Sequence, residues 1–269
     1  MKGAQVPALG FGTWQMEGAD CRSGVAHALE LGYRHIDTAQ IYGNEAEVGA
    51  GLADAEVARD AIWLTTKVWY EKASADAVKR STEESLRKLG TEYVDLLLFH
   101  WPNDDTPMET TLGALADLQE QGLTRHIGVS NFTPTLLKRA LDAAPIAALQ
   151  VEYHPFLAQE PLLALCREHG LLFTAYSPLA RGGVLEDSTL KSIGERHGKS
   201  PVQVVLRWLI DQPQVSAVPK AASAAHRESN LALDFELGDE DRKAIDGLAR
   251  GERVIDPSFA PDWENDGKR

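Results

Sequence analysis

Short runs that are apolar on both faces alternate along the chain with longer segments whose apolar positions recur every three to four residues. The runs near 8–13, 33–38, 62–68, 94–100, 126–130, 148–152, 171–176 and 215–219 have the character of parallel strands covered by helices. Amphipathic segments at 20–32, 45–55, 74–89, 108–121, 134–143, 161–169 and 224–232 follow them in turn. This strict alternation predicts an α/β fold, a closed (β/α)8 TIM barrel. Gly32, Gly90, Gly122 and Gly170 stand where helices should stop. Asp20 and Ser74 stand where the first and third should be capped, and Ser200-Pro201 opens a helix over 201–212. Two additional helices, 187–197 and 239–249, exceed the eightfold count. The tail from Gly251 to Arg269 carries Pro257, Phe259, Pro261 and Trp263 without a helical period. It is expected as a C-terminal loop over the barrel, either covering its wall or lining a pocket at the rim.

Length and charge narrow the function. A barrel of this kind runs to about 250 residues, so residues 1–269 are expected to form a single domain. With 43% hydrophobic residues the chain can bury a large core. The net charge of −13 repels phosphate at long range, which argues against nucleic-acid and membrane-surface partners. Cys21 and Cys166 are too far apart to suggest a disulfide framework or a zinc site and read as reduced packing residues of a cytoplasmic protein. The eight histidines show no ligand spacing, so no metal is expected. Neither a signal peptide nor a membrane-length apolar run is visible, and no helix face demands a partner, so a soluble monomer is expected.

Three of the apolar runs end in different ionisable groups: Asp37, Lys67 and His100, with Tyr42 five residues after Asp37. On successive parallel strands, spaced about 4.8 Å apart, these groups would line one rim of the barrel, where catalytic residues gather. A phenol has an ordinary pKa near 10, and a neighbouring ammonium lowers it. Lys67 could serve Tyr42 in this way while Asp37 keeps Lys67 charged. His100 could donate a hydrogen bond to a carbonyl oxygen as negative charge develops there. Singly, a strand-end lysine is often solvated and a histidine often merely packed; together the four describe a proton-transfer site for a carbonyl compound.

The stretches around these residues resemble the aldo-keto reductases. Gly32-Tyr33-Arg34-His35-Ile36-Asp37-Thr38-Ala39 with Tyr42-Gly43-Asn44-Glu45 is similar to the first signature of that family. Thr65-Thr66-Lys67-Val68-Trp69, Asp95 to Pro102, Ile127 to Phe132, Gln150 to Pro155 and Ala175 to Leu179 resemble later motifs in the same order. The tail Ala260-Pro261-Asp262-Trp263 and Glu228-Ser229-Asn230 resemble the short bacterial branch that reduces 2,5-diketo-gluconate and methylglyoxal. The resemblance implies hydride transfer from a nicotinamide coenzyme with Tyr42 as general acid, Asp37 and Lys67 tuning it, and His100 orienting the carbonyl.

The same resemblance implies that Ser130, Asn131 and Gln150 hold the carboxamide and that Tyr176 stacks on the nicotinamide. The residue chemistry is compatible with this, since amides and a hydroxyl suit an amide and an aromatic face suits a flat ring. Taken alone, Ser130-Asn131 could be a helix cap and Tyr176 a core phenol. Gly10-Phe11-Gly12 begins like a dinucleotide fingerprint, but Gln15 breaks it. That segment reads instead as the first strand running into Thr13-Trp14, which the resemblance leads us to expect at the coenzyme. Ser177 to Gly183, including Leu179, is the better pyrophosphate loop, because small residues permit close backbone approach.

At the adenosine end the chain departs from NADPH-preferring relatives. Lys220 and Ser223 remain to meet a 2′-phosphate and Asn230 closes the motif, but His226 stands where an arginine is usual. A neutral imidazole is a poorer anion ligand than a guanidinium. NADPH is therefore expected as coenzyme, with modest discrimination against NADH. Trp14, Trp69, Trp101 and Trp263 are expected to wall a pocket with Tyr42 and His100 at its base, although each tryptophan could instead pack the rim. Such a pocket suits α-dicarbonyls such as methylglyoxal, diketo sugar acids and electron-poor aromatic aldehydes. The alternative is a non-catalytic nucleotide-binding sensor or partner subunit on the same fold.

Overall fold

In the computed structural model, which describes residue 1 and residues 3–266, eight parallel strands pair in sequence order. They are β1 (Phe11–Gly12), β2 (His35–Asp37), β3 (Trp63–Val68), β4 (Val94–Phe99), β5 (Thr124–Ser130), β6 (Ile146–Glu152), β7 (Leu172–Tyr176) and β8 (Val215–Ala217). The sheet closes on itself. Parallel bridges join Leu9 to Ala217 and Gly12 to Lys220, and Gly10 N donates to Ala217 O at 2.8 Å. The two glycines explain why this seam can form: a Cβ on Gly12 would meet Val218 O at 2.7 Å, and one on Gly10 the His35 ring at 2.9 Å.

Helices α1 (Gly18–Glu30), α2 (Glu45–Asp54), α3 (Ala75–Leu89), α4 (Met108–Glu120), α5 (Pro134–Ala143) and α6 (Glu160–His169) follow the first six strands. Between β7 and β8 lie α7 (Ser188–His197) and α8 (Pro201–Ile210), and after β8 come α9 (Ala224–Leu231) and α10 (Asp239–Asp246). The expected barrel with two additional helices is therefore present, and those two, α7 and α10, are tied to each other. Asp241 of α10 accepts from Arg196 and from His197, the latter at 2.8 Å. Gly90 and Gly170 end α3 and α6 in the left-handed conformation that glycine tolerates best. Ser200 closes a full capping box with Gln203.

Two local expectations need correction. The first helix begins at Gly18 with Glu17 at its cap position, so Asp20 lies in the first turn, where it still meets the positive end of the helix dipole. Ser74 occupies the cap position of α3, but its side chain makes no capping bond.

Strand alternation divides the core in two. Leu64, Val68, Leu97, Phe99, Leu149 and Val151 face the helices, whereas Trp63, Leu96, Leu98, Ala148 and Leu172 pack inside the barrel against Met1, Ala4 and Val6. The same period sends His35 and Asp37, Thr65 and Lys67, and Gln150 and Glu152 inward. The polar residues thus collect near the C-terminal ends of the strands, above the apolar plug. Cys21 and Cys166 are both buried free thiols, and burial raises them to about 11 and about 12. Among the described residues no helix is long and apolar enough to cross a membrane.

Candidate active site

A cavity of about 570 Å³ opens at the C-terminal end of the barrel. Its wall includes Thr13, Trp14, Asp37, Tyr42, Trp69, His100, Trp101, Asn131, Gln150, Tyr176, Ser177 and Lys220, twelve positions expected from the sequence. Lys67 stands immediately behind them with no solvent exposure. Its ammonium donates to Asp37 Oδ1 at 2.6 Å, to Thr38 O at 2.8 Å and to Tyr42 Oη at 3.3 Å. Asp37 Oδ2 accepts from Gln150 Nε2 at 2.7 Å. The lysine therefore reaches the cavity through the phenol rather than by touching what binds there.

A short 3₁₀ turn, Gln40–Tyr42, carries the phenol out of β2 and over the rim. Asn44 fixes the return of the chain by donating to Thr13 O and Met16 O and accepting from Thr38 Oγ1. Trp14 packs on Tyr42 with ring centroids 4.8 Å apart, and His100 lies edge-on to both Tyr42 and Trp69.

Charge in this cluster departs from the sequence expectation. Burial raises the Tyr42 pKa, and the opposing pull of Lys67 does not reverse it. The net effect is a neutral phenol, the form that can give a proton. Burial works against the Lys67 ammonium, but Asp37 and Tyr42 together outweigh it and raise its pKa. Burial, reinforced by Lys67, holds His100 well below the ordinary imidazole value. His100 is thus a neutral ring beside the phenol, and its buried Nδ1 has no hydrogen-bond partner among the described residues.

Across the cavity, Asn131 adopts a left-handed backbone at φ 63°, which asparagine tolerates better than most residues. Its Nδ2 donates to His100 O at 2.9 Å and to Ser130 Oγ at 3.1 Å, while its Oδ1 accepts from Tyr176 Oη at 2.6 Å. Ser130 is fully buried behind this amide rather than on the wall. The turn after β7 runs through Ser177, Ala180 and Arg181, all at positive φ, so its backbone folds tightly beside the cavity. Arg181 lines the wall, while Leu179 packs against the core.

Several expected positions lie off the wall. Ser223 caps α9, its Oγ accepting from His226 N, and the His226 side chain is exposed. Asn230 is buried in the same helix. Arg227, one position beyond His226, is turned inward. Its guanidinium donates to His27 Nδ1 and to the carbonyls of Ala221 and Ala222, so it cannot substitute for the missing surface arginine. Trp263 is the clearest departure. It stacks under Arg253 and donates to Asp256 from Nε1, 6.3 Å between ring centroids from Trp101 but off the cavity wall.

Phe259 takes the place expected for Trp263. It lies on the wall and packs against Trp69, Tyr70 and Trp101 at 5.5, 4.5 and 5.5 Å between centroids. The tail accordingly lines the pocket, with Val254, Ile255, Asp256 and Pro257 on the wall as well. Ile41 completes the mouth. Proline on both sides of Phe259 was the signal in the sequence that this stretch is pinned, but it did not identify which aromatic turns inward.

The chain belongs to the aldo/keto reductase family, whose pattern it matches over residues 8–250. The methylglyoxal reductase DkgB of Escherichia coli O157:H7 is 42% identical over 266 residues, covering 96% of this chain and 99% of that protein. A solved structure provisionally described as a 2,5-diketo-D-gluconic acid reductase B superposes with a TM-score of 0.94 at 47% identity, covering 96% and 94% of the two chains. The Bombyx mori aldo-keto reductase AKR2E4, crystallised with NADP, superposes at 0.89 with 35% identity over 99% and 96% of the two chains. The chain is therefore an oxidoreductase of carbonyl compounds, and the reading as a non-catalytic nucleotide sensor is set aside.

Proposed function

We propose that the chain reduces small aldehydes and activated ketones with NADPH, Tyr42 giving the proton. The observation that carries this is the unbroken set of contacts from Asp37 through Lys67 to a neutral Tyr42 phenol on the cavity wall. When bound, the reduced nicotinamide supplies hydride to the carbonyl carbon. Tyr42 Oη delivers its proton to the carbonyl oxygen, and Lys67 stabilises the phenolate that remains. Asp37 and Thr38 O hold the ammonium in place for that moment. His100, neutral, donates a hydrogen bond that orients the same oxygen. The aromatic wall excludes water, which strengthens each of these interactions.

A nicotinamide dinucleotide suits the residues on the other half of the rim. The Asn131 and Gln150 amides and the Tyr176 ring stand together there, with Arg181 and Lys220 as cations beside the tight turn after β7. With Arg227 facing inward and His226 exposed, Lys220 is left as the wall cation after β8, so preference for NADPH over NADH is modest. The substrate end, lined by Trp14, Ile41, Trp69, Trp101 and Phe259, is apolar and open enough for α-dicarbonyls, diketo sugar acids and aromatic aldehydes. We infer a monomer, because among the described residues two of the three exposed large apolar side chains, Trp14 and Ile41, belong to the cavity mouth. The buried free thiols support a cytoplasmic location.

The test mixes protein, NADPH and methylglyoxal and follows the reduced-nicotinamide absorbance, with Tyr42→Phe alongside. Consumption by wild type and not by the variant is expected. Equal rates in the two would remove Tyr42 as proton donor.

A further inference from the structure

Glu152 is the last residue of β6, one inward-facing position above Gln150, and it is fully buried. Its carboxylate accepts from two consecutive tail amides, Val254 N at 2.7 Å and Ile255 N at 2.8 Å, and from His154 Nε2 at 2.9 Å. A buried carboxylate is costly unless its lone pairs are all used. Here two of them hold a segment distant in sequence, immediately before the residues that wall the cavity.

Beyond this anchor the tail crosses the mouth of the site. Its middle is held by Phe259 among Trp69, Tyr70 and Trp101 at the ends of β3 and β4. Its far end is held by Asp266, which accepts from Thr135 N at 3.0 Å at the start of α5. Val254, Ile255, Asp256 and Pro257 span the interval between the first two anchors, and all four line the cavity. Two of the three anchors therefore bear on the substrate wall; at β6 the charged side chain of Glu152 takes over the tail directly after Arg250 N and Glu252 N, which both donate to Phe156 O at 3.1 Å.

We propose that Glu152 is a positioning residue that sets the tail wall and thereby the preference for aromatic over small carbonyl substrates. The inference rests on the carbonyl-reductase reading of the site. A molecule as small as methylglyoxal is served by Tyr42 and His100 without reaching the tail. An aromatic aldehyde fills the space toward Phe259 and uses that wall to place its carbonyl, so its orientation depends on where the tail lies.

The experiment compares wild type with Glu152→Ala and Glu152→Gln. It reads kcat/KM for methylglyoxal and for nitrobenzaldehyde, NADPH affinity by tryptophan fluorescence, and the rate of tryptic cleavage after Arg250 and Arg253. In Glu152→Ala the ratio of nitrobenzaldehyde to methylglyoxal efficiency is expected to fall about tenfold, chiefly through KM, the scale of one lost placing interaction. NADPH affinity is expected to hold, and cleavage of the tail to accelerate. Glu152→Gln, which keeps one acceptor oxygen, is expected to fall between the two, and it decides the matter alone if the alanine variant does not fold. Parallel loss on both substrates, or a ratio unchanged within about twofold, overturns the proposal whatever the cleavage rate. A wild type inactive on both carbonyls would instead sink the reductase reading, and unaccelerated cleavage would then sink the anchor independently.

Discussion

Lys67 Nζ lies 2.6 Å from Asp37 Oδ1, with the lysine wholly buried and the aspartate nearly so. Neither charge can be removed without stranding the other. Lys67→Met leaves an uncompensated carboxylate among buried neighbours, and such a loss costs about 3–5 kcal/mol. Asp37→Asn combined with Lys67→Met removes both charges and should recover most of that stability while leaving activity abolished. Urea unfolding of the two single variants and the double variant measures the coupling. Additive losses would mean that the pair does not act as a unit.

Proton inventory at the site predicts an unusual pH profile. Burial raises Tyr42, so the phenol keeps its proton to a higher pH than an exposed tyrosine, for which the value is about 10. Burial lowers His100, so the imidazole stays neutral down to a lower pH than an exposed histidine, about 6.5. Between these limits neither group changes charge. The efficiency of methylglyoxal reduction should therefore be flat from about pH 6.5 to about pH 10 and fall only as Tyr42 deprotonates above that range. A limb centred near neutrality would show that a different group governs proton delivery.

Gln40 links the turn that carries Tyr42 to the substrate wall. Its Oε1 accepts from Trp69 N at 3.2 Å and its Nε2 donates to Ser85 Oγ at 3.2 Å. Ser85 in turn donates to Glu45, which Thr66 also meets at 2.7 Å. Gln40→Ala should free the Trp69 backbone. A lost hydrogen bond of this kind is worth about 0.5–1.5 kcal/mol, which is about two- to tenfold in affinity. The expected result is a KM for nitrobenzaldehyde raised by that factor with kcat little changed. A loss confined to kcat would place Gln40 in the control of Tyr42 instead.

Much of this arrangement could be read from the chain because it depends on local rules. The alternation of apolar runs and amphipathic segments located all eight strands, and the ionisable residues at or next to the ends of β2, β3 and β4 pointed to the tetrad. Barrel topology then brings those strand ends together whatever the helices do. The charge state of Tyr42 was not legible, because it is a contest between burial and the Lys67 field, and sequence spacing reveals the partner but not the burial. Nor was the choice between Phe259 and Trp263. That depends on the anchor at Glu152, which fixes where the tail enters, and on the three rings at the ends of β3 and β4 that receive Phe259. Such contacts join residues more than a hundred positions apart and leave no periodic trace.

On the proposed reading of the adenosine end, coenzyme choice turns on one exposed residue, His226. His226 stands in the first turn of α9, close in sequence to the Ser223 cap and to Lys220 at the seam of the barrel. Arg227 is committed inward to His27 and two carbonyls, so the outer surface of this turn carries an imidazole where a guanidinium could stand. His226→Arg should therefore add a charge-assisted hydrogen bond to a 2′-phosphate without disturbing the core. Such a bond is worth roughly 1.5–3 kcal/mol, so the ratio of NADPH to NADH affinity should rise about tenfold to 150-fold. Titrating both coenzymes by tryptophan fluorescence checks this directly. A gain for NADPH that vanishes in high salt would reflect long-range attraction alone. If NADPH and NADH tighten equally, the arginine is meeting the pyrophosphate or ribose rather than the 2′ position, and the assignment of this turn to the adenosine end is wrong.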